Sequence, residues 1–293
     1  MKLPYLLIDA FTEKPLTGNP CAVFFDTDGL EPGTMQRIAS EMNLSESAFV
    51  SRSNTADFRV RYFTPAEEIP LAGHPTIATT WALIDSGKID LSTREISLEL
   101  NDGPITVTID GKTGSLPLIT MTQRPPQFLS THDPYKVMPI FGLTEDDLLP
   151  DSCVQTVSTG TPQLMIPLKG HASLRKAKLE FSAYTAYRDA SDFFSPHLFC
   201  LNGFTTAGDV ASRHFGVPPD TIEDPFTGSA TGGMIAYLWH YKLIRKRKLI
   251  VEQGHWMGRP GTGYAEIIGP PDTIDTVRVS GTAVTVIRGM CEL

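Results

Sequence analysis

Gly73-His74-Pro75-Thr76-Ile77-Ala78-Thr79-Thr80-Trp81-Ala82-Leu83-Ile84 is the stretch on which the fold turns. It predicts a helix that opens near His74 and runs to Gly87. Pro75 fits its first turn, where a missing N–H costs little. Ile77, Ala78, Trp81, Ala82 and Ile84 cover most of its circumference. Such a helix has to be surrounded, and short strands on either side can wrap it.

A second stretch follows the same order. Arg61-Tyr62-Phe63, then acidic Glu67-Glu68, precede the first helix, and Leu98-Glu99-Leu100 running to Gly103 follows it. Arg213-His214-Phe215, then Glu223-Asp224, precede a helix opening at Gly228-Ser229-Ala230-Thr231, and Ile250-Val251-Glu252 running to Gly254 follows that one. This order predicts an internal repeat of about half the chain. The expected architecture is α+β: two pseudo-symmetric β-barrel-like domains, each wrapped around a central helix. Gln123-Arg124-Pro125-Pro126 breaks the pattern and sets the expected halves at 1–125 and 126–293, with the last strand free to return to the first half.

Working outward, strands are expected at 4–10, 21–25, 47–52 and 58–64, with Thr17-Gly18-Asn19-Pro20 as a turn and a helix over 32–42. Three β runs fall within 95–121, and short helices within 132–149. Further strands are expected at 153–158, 163–168, 198–202, 210–215, 249–253, 264–268, 276–280 and 283–288.

The 293 residues are 41% hydrophobic, enough for one or two real cores. A formal charge of −8 argues against general affinity for nucleic acid or anionic lipid. The basic residues Lys242, Arg245, Lys246, Arg247 and Lys248 read as a solvated surface at a helix end. Cys21, Cys153, Cys200 and Cys291 are scattered, so neither a disulfide framework nor a zinc site is expected. The N-terminal residues show no signal-peptide pattern, and no apolar run approaches the ~18 residues of a membrane span. A cytoplasmic protein without metal or cofactor, acting on a small anionic metabolite, is the expectation.

Both helix starts follow a glycine, which lets a ligand approach the backbone. Free N–H groups and a partial positive charge at two such tips would hold a carboxylate without lysine or arginine. Gly73, Thr76, Gly228 and Ala230 are therefore candidate substrate-binding positions. Glu46 lies among Met42, Leu44, Ala48 and Phe49. Loss of hydration there would raise its affinity for a proton and suit it to acid–base work, although an exposed glutamate in a turn, or one capping a helix, is the plainer reading of these residues alone. His74, at a helix tip, is expected to resist protonation and relay a proton as neutral imidazole, or simply to cap the helix. Asp224 either orients His74 or stabilises its loop before Pro225. No dinucleotide fingerprint, phosphate loop, HExxH or nucleophile elbow is present.

Taken in order, Thr17-Gly18-Asn19-Pro20, Asn43-Leu44-Ser45-Glu46-Ser47, Phe63-Thr64-Pro65, Gly73-His74-Pro75-Thr76, Glu223-Asp224-Pro225-Phe226-Thr227-Gly228-Ser229-Ala230, Glu252-Gln253-Gly254 and Met257-Gly258-Arg259-Pro260 resemble the PhzF-like phenazine-biosynthesis family. The resemblance implies a diaminopimelate-epimerase-like fold, a homodimer, and a cofactor-independent isomerase similar to trans-2,3-dihydro-3-hydroxyanthranilate isomerase. It implies Glu46 as the proton shuttle, His74, Asp224 and Ser229 as assisting residues, and Gly73, Gly228 and Asn19 as substrate-binding positions. The wider fold includes epimerases with a cysteine at each helix start. Here His74 and Ser229 stand in those places, which favours isomerisation over inversion. An amino- or hydroxy-acid epimerase or racemase and a catalytically silent small-acid binder are the alternatives.

Overall fold

A computed structural model describes residues 1–111, 115–216 and 220–293. The first repeat runs β1 (Lys2–Ala10), β2 (Asn19–Phe24), α1 (Pro32–Met42), β3 (Glu46–Ser51), β4 (Phe58–Phe63), β5 (Glu68–Ile69), α2 (His74–Asp85), β6 (Glu95–Leu100), β7 (Gly103–Asp110) and β8 (Leu118–Thr122). Then come β9 (Gln127–His132) and α3 (Pro134–Val137). The second repeat runs β10 (Val154–Ser158), β11 (Pro162–Leu168), α4 (His171–Lys176), α5 (Phe181–Asp189), β12 (Ser195–Leu201), β13 (Val210–Phe215), β14 (Glu223–Asp224), α6 (Gly228–His240), β15 (Lys248–Gln253), β16 (Gly261–Ile268) and β17 (Thr276–Gly281), and β18 (Ala283–Glu292) closes the chain.

The pairings repeat as well as the order. β2 and β3 are parallel, as are β11 and β12. β4 pairs with β5 and runs parallel to β6, while β13 pairs with β14 and runs parallel to β15. Arg61 forks the Glu68 carboxylate at 2.6 and 2.6 Å, and Arg213 forks Glu223 at 2.8 and 2.8 Å. These bidentate pairs lock the same corner twice.

The closing strands cross over. β9, which follows the first repeat, pairs with β10 of the second, and β18 pairs with β1 of the first. β8 and β17 also pair, so the eighteen described strands form one continuous sheet.

Nine of the twelve residues of α2 and ten of the thirteen of α6 are buried, because each helix is enclosed. α2 packs on β1, β2, β3, β8 and β18; α6 packs on β10, β11, β16 and β17. The fold is the α+β, two-barrel arrangement expected from the repeat.

Two expectations need correction. Asn19 and Pro20 belong to β2, paired with Ala10 and Asp9, and the turn is made earlier, where Gly18 takes φ +62°. The connection between β11 and β12 carries α4 and α5, which no periodicity in the sequence had marked, and β12 starts at Ser195, three residues earlier than expected. Residues 112–114, inside the expected β runs of 95–121, lie outside the described residues.

Candidate active site

The N-termini of α2 and α6 meet tip to tip. A Cβ on Gly73 would lie 2.7 Å from the Ser229 nitrogen and 2.9 Å from the Gly228 Cα, so only glycine permits this approach. The first-turn N–H groups of both helices have no intrahelical partner, and the two positive dipole ends converge. Phe11 and Phe226 stack beside the junction with centroids 4.1 Å apart. Phe11 does so at φ +61°, an unusual conformation for a bulky residue, secured by hydrogen bonds from Phe11 N to Thr282 O and from Thr262 N to Phe11 O, both 2.8 Å.

A cavity of about 550 Å³ opens at this junction, the size of a small-molecule site. Glu46, Gly73, His74, Asp224, Gly228 and Ser229 all line it. Glu46 begins β3, and its Oε2 lies 2.9 Å from His74 Nδ1. Apart from that contact, the same buried oxygen has no hydrogen-bond partner among the described residues. The Glu46 side chain keeps 21% exposure, so it borders the cavity and is not sealed into the core its apolar neighbours had implied.

Asn19 ties these groups together. Its Nδ2 donates to Asp224 Oδ1 at 2.8 Å and to Phe226 O at 2.8 Å, and it touches His74 Nδ1 at 3.0 Å. Asp224 Oδ2 accepts from Thr227 Oγ1 at 2.5 Å, and Gln253 Nε2 donates to the Asp224 carbonyl at 2.7 Å. Arg259 holds the turn before Asn19: it donates to Gly18 O at 2.9 Å and Thr17 O at 3.1 Å and pairs with buried Asp9 at 2.6 Å. Gln253 and Arg259 thus explain why the motifs near the chain's end belong with the site.

The electrostatics depart from the sequence reading in one respect. Burial opposes a charge on His74, but the carboxylates of Glu46 and Asp224 outweigh it and hold the imidazole above its ordinary value. The helix tip had predicted a histidine that resists protonation; two nearby carboxylates reverse that. Burial pushes the Asp224 carboxyl up, with His74 pulling it down and Glu46 pushing it further up.

Three expected binding positions stand behind the cavity wall. Thr76 Oγ1 is turned into the core, donating to Ala72 O at 2.7 Å and contacting Tyr62 Oη at 2.9 Å. Ala230 is fully buried, and Asn19 is fully buried around Asp224. Their side chains stand behind the wall and do not line the cavity. Cys21 pairs with Glu46 in strand register, but it is fully buried and burial pushes its thiol far up, so it is no second base. Among the described residues no cluster of three or more His, Cys, Asp and Glu is placed to hold a metal. No helix there is long and apolar enough to cross a membrane.

The cavity also has walls that sequence reasoning missed. Gln163, Ser195 and His214 line it, as does Arg188, whose guanidinium lies 5.0 Å over the Phe194 ring. His214 was visible only as a marker of the repeat. Ser195 lay at the end of the unread connection.

The fold and this junction define a class of two-barrel proteins with paired helix tips over a ligand cavity. The family model for phenazine biosynthesis-like proteins (PhzC-PhzF) matches residues 8–289, and the chain belongs to that family. It is 34% identical over 295 residues to a trans-2,3-dihydro-3-hydroxyanthranilate isomerase of Pseudomonas aeruginosa, covering 99% of each chain. It is 34% identical over 281 residues to the uncharacterized isomerase YfhB of Bacillus subtilis, covering 95% of each. The crystal structure of a Bacillus anthracis PhzF-family protein superposes with a TM-score of 0.90 at 30% identity over 100% of both chains. A hydroxyproline epimerase from Agrobacterium vitis shares the fold with a TM-score of 0.71 at 11% identity. The chain is an isomerase.

Proposed function

We propose that the protein moves a proton between two carbons of a small carboxylic acid similar to trans-2,3-dihydro-3-hydroxyanthranilate, with Glu46 as the group that carries it. The helix tips at Gly73 and Gly228 hold the substrate carboxylate. Glu46 takes a proton from an activated C–H, the double bond shifts along the ring, and the proton returns to another carbon. Atoms and electrons balance without an oxidant. The N–H groups of the tips stabilise charge that builds up during transfer. His74, kept protonated by its acidic neighbours, donates to the Glu46 carboxylate while that group is charged. Asp224 and Asn19 position His74, and Ser229 offers its hydroxyl to the substrate.

The observation that carries this reading is the 2.9 Å contact between Glu46 Oε2 and His74 Nδ1 beside two abutting helix tips. Turnover of trans-2,3-dihydro-3-hydroxyanthranilate in D₂O tests it. Deuterium at one product carbon, lost in Glu46→Gln together with at least about 100-fold in rate, is the expected result. Full turnover in that variant removes Glu46 from the role. The reading also takes the chain as two halves, 1–125 and 126–293 with β18 returning to the first, and as a cytoplasmic homodimer, in line with the family resemblance. Sedimentation at micromolar concentration checks the dimer.

A further inference from the structure

Strand register gives Glu46 a counterpart. Phe49 lies opposite Arg61, and Leu198 lies opposite Arg213. Three residues back along each strand stand Glu46 and Ser195, the first residues of β3 and β12. Glu46 pairs with Cys21 on the parallel neighbour, and Ser195 pairs with Gln163. Both Glu46 and Ser195 line the one cavity. Where one repeat presents a carboxylate, the other presents a hydroxyl.

That hydroxyl belongs to a buried chain. Ser195 Oγ donates to Gln163 Oε1 at 2.7 Å, His214 Nε2 lies 2.9 Å from Ser195 Oγ, and His197 Nδ1 lies 3.3 Å from His214 Nδ1. Gln163 is 2% exposed, Ser195 4%, His214 6% and His197 0%. Burial holds His214 down at about 3 and His197 well below its ordinary value, so both rings are neutral at neutral pH. Each ring then carries one N–H, and the chain has a direction. If it ran from Gln163 towards His197, the last N–H would be His197 Nε2, which is buried without a partner. Run the other way, His197 Nδ1–H donates to His214, His214 Nε2–H donates to Ser195, and Ser195 donates to Gln163. Only an acceptor lone pair is then left unpaired, and buried orphan donors are the rarer defect. Gln163 Oε1 is therefore engaged, while its Nε2 has no partner among the described residues and borders the cavity.

The geometry points to Gln163 as a specificity-determining residue: its amide hydrogens, aimed by Ser195, His214 and His197, donate to a hydroxyl or carbonyl oxygen that the substrate carries in addition to its carboxylate. This rests on the reading that the helix tips hold the carboxylate. A substrate without that second oxygen leaves the buried amide unpaired and binds more weakly.

Calorimetric titration of the intact protein with 3-hydroxyanthranilate and with anthranilate tests this without turnover. The wild type is expected to favour the hydroxylated acid by about five- to ten-fold, one neutral hydrogen bond. Gln163→Leu is expected to bring that ratio close to one. A ratio that survives in Gln163→Leu, or a wild type that binds neither acid or does not discriminate, overturns the proposal. Nitrogen-15 histidine spectra provide a ligand-free check: a protonated Nε2 on His214 and Nδ1 on His197 are expected, and the reverse tautomers would turn the chain around and overturn it. Ligand discrimination without deuterium exchange would sink the isomerisation reading alone. Exchange with no discrimination would sink this one alone.

Discussion

Gly73 and Gly228 meet backbone to backbone, and the contact joins the starts of two helices that lie 155 residues apart in the sequence. Neither position has room for a side chain directed at the other. The two tips therefore act as a single cradle whose width is set by glycine.

Gly73→Ala places a methyl group 2.7 Å from the Ser229 nitrogen and forces the tips apart. We expect a stability loss of about 1–3 kcal/mol. Activity should fall further, by about 100-fold, because the cradle is displaced. Urea denaturation and steady-state kinetics check the two effects separately; an active, unchanged variant would show that the contact is dispensable.

Asn19→Leu removes the donor to Asp224 Oδ1 and Phe226 O within a fully buried cluster. Leaving two buried acceptors short of a partner should cost about 1–3 kcal/mol. Chemical denaturation of the variant measures it.

His74 should titrate above 6.5 in the folded protein, since Glu46 and Asp224 outweigh burial. The sign follows from linkage. A raised value means the folded state binds the proton more tightly than the unfolded chain. The stabilisation is complete below 6.5 and is lost as pH rises through the folded value. Glu46→Gln removes the larger of the two raising charges and should move the titration down. Proton NMR of the imidazole reads both proteins, and an unmoved His74 would contradict the pairing.

Arg259→Met leaves Asp9 buried at 1% exposure without its cation. Arg259 is itself 27% exposed, so the low end of the range for a broken buried pair applies, about 3 kcal/mol. Asp9→Asn in the same chain should restore part of that loss, as a double-mutant cycle would show.

The helices α2 and α6 were legible because each is apolar all round, which admits few environments. Glu46, His74, Asp224 and Ser229 were legible through motif order, and the structure brings all four to one cavity. The connection through α4 and α5 was not, since Phe181–Asp189 is largely exposed and has little apolar periodicity to read. The charge on His74 was misread for a related reason: the helix tip is local in sequence, while Asp224 arrives from 150 residues away. Gln163 and Ser195 would have emerged only by extending the match of Arg61-Tyr62-Phe63 with Arg213-His214-Phe215 back through the preceding strands.

The exchange of β9 and β18 makes each barrel depend on chain from beyond its own repeat. Separating the two halves at the connection between β8 and β9 would take β18 from β1, leave β1 paired with β2 alone and open its other edge to aggregation. The molecule should therefore melt in one step, and neither repeat can be excised as a working module.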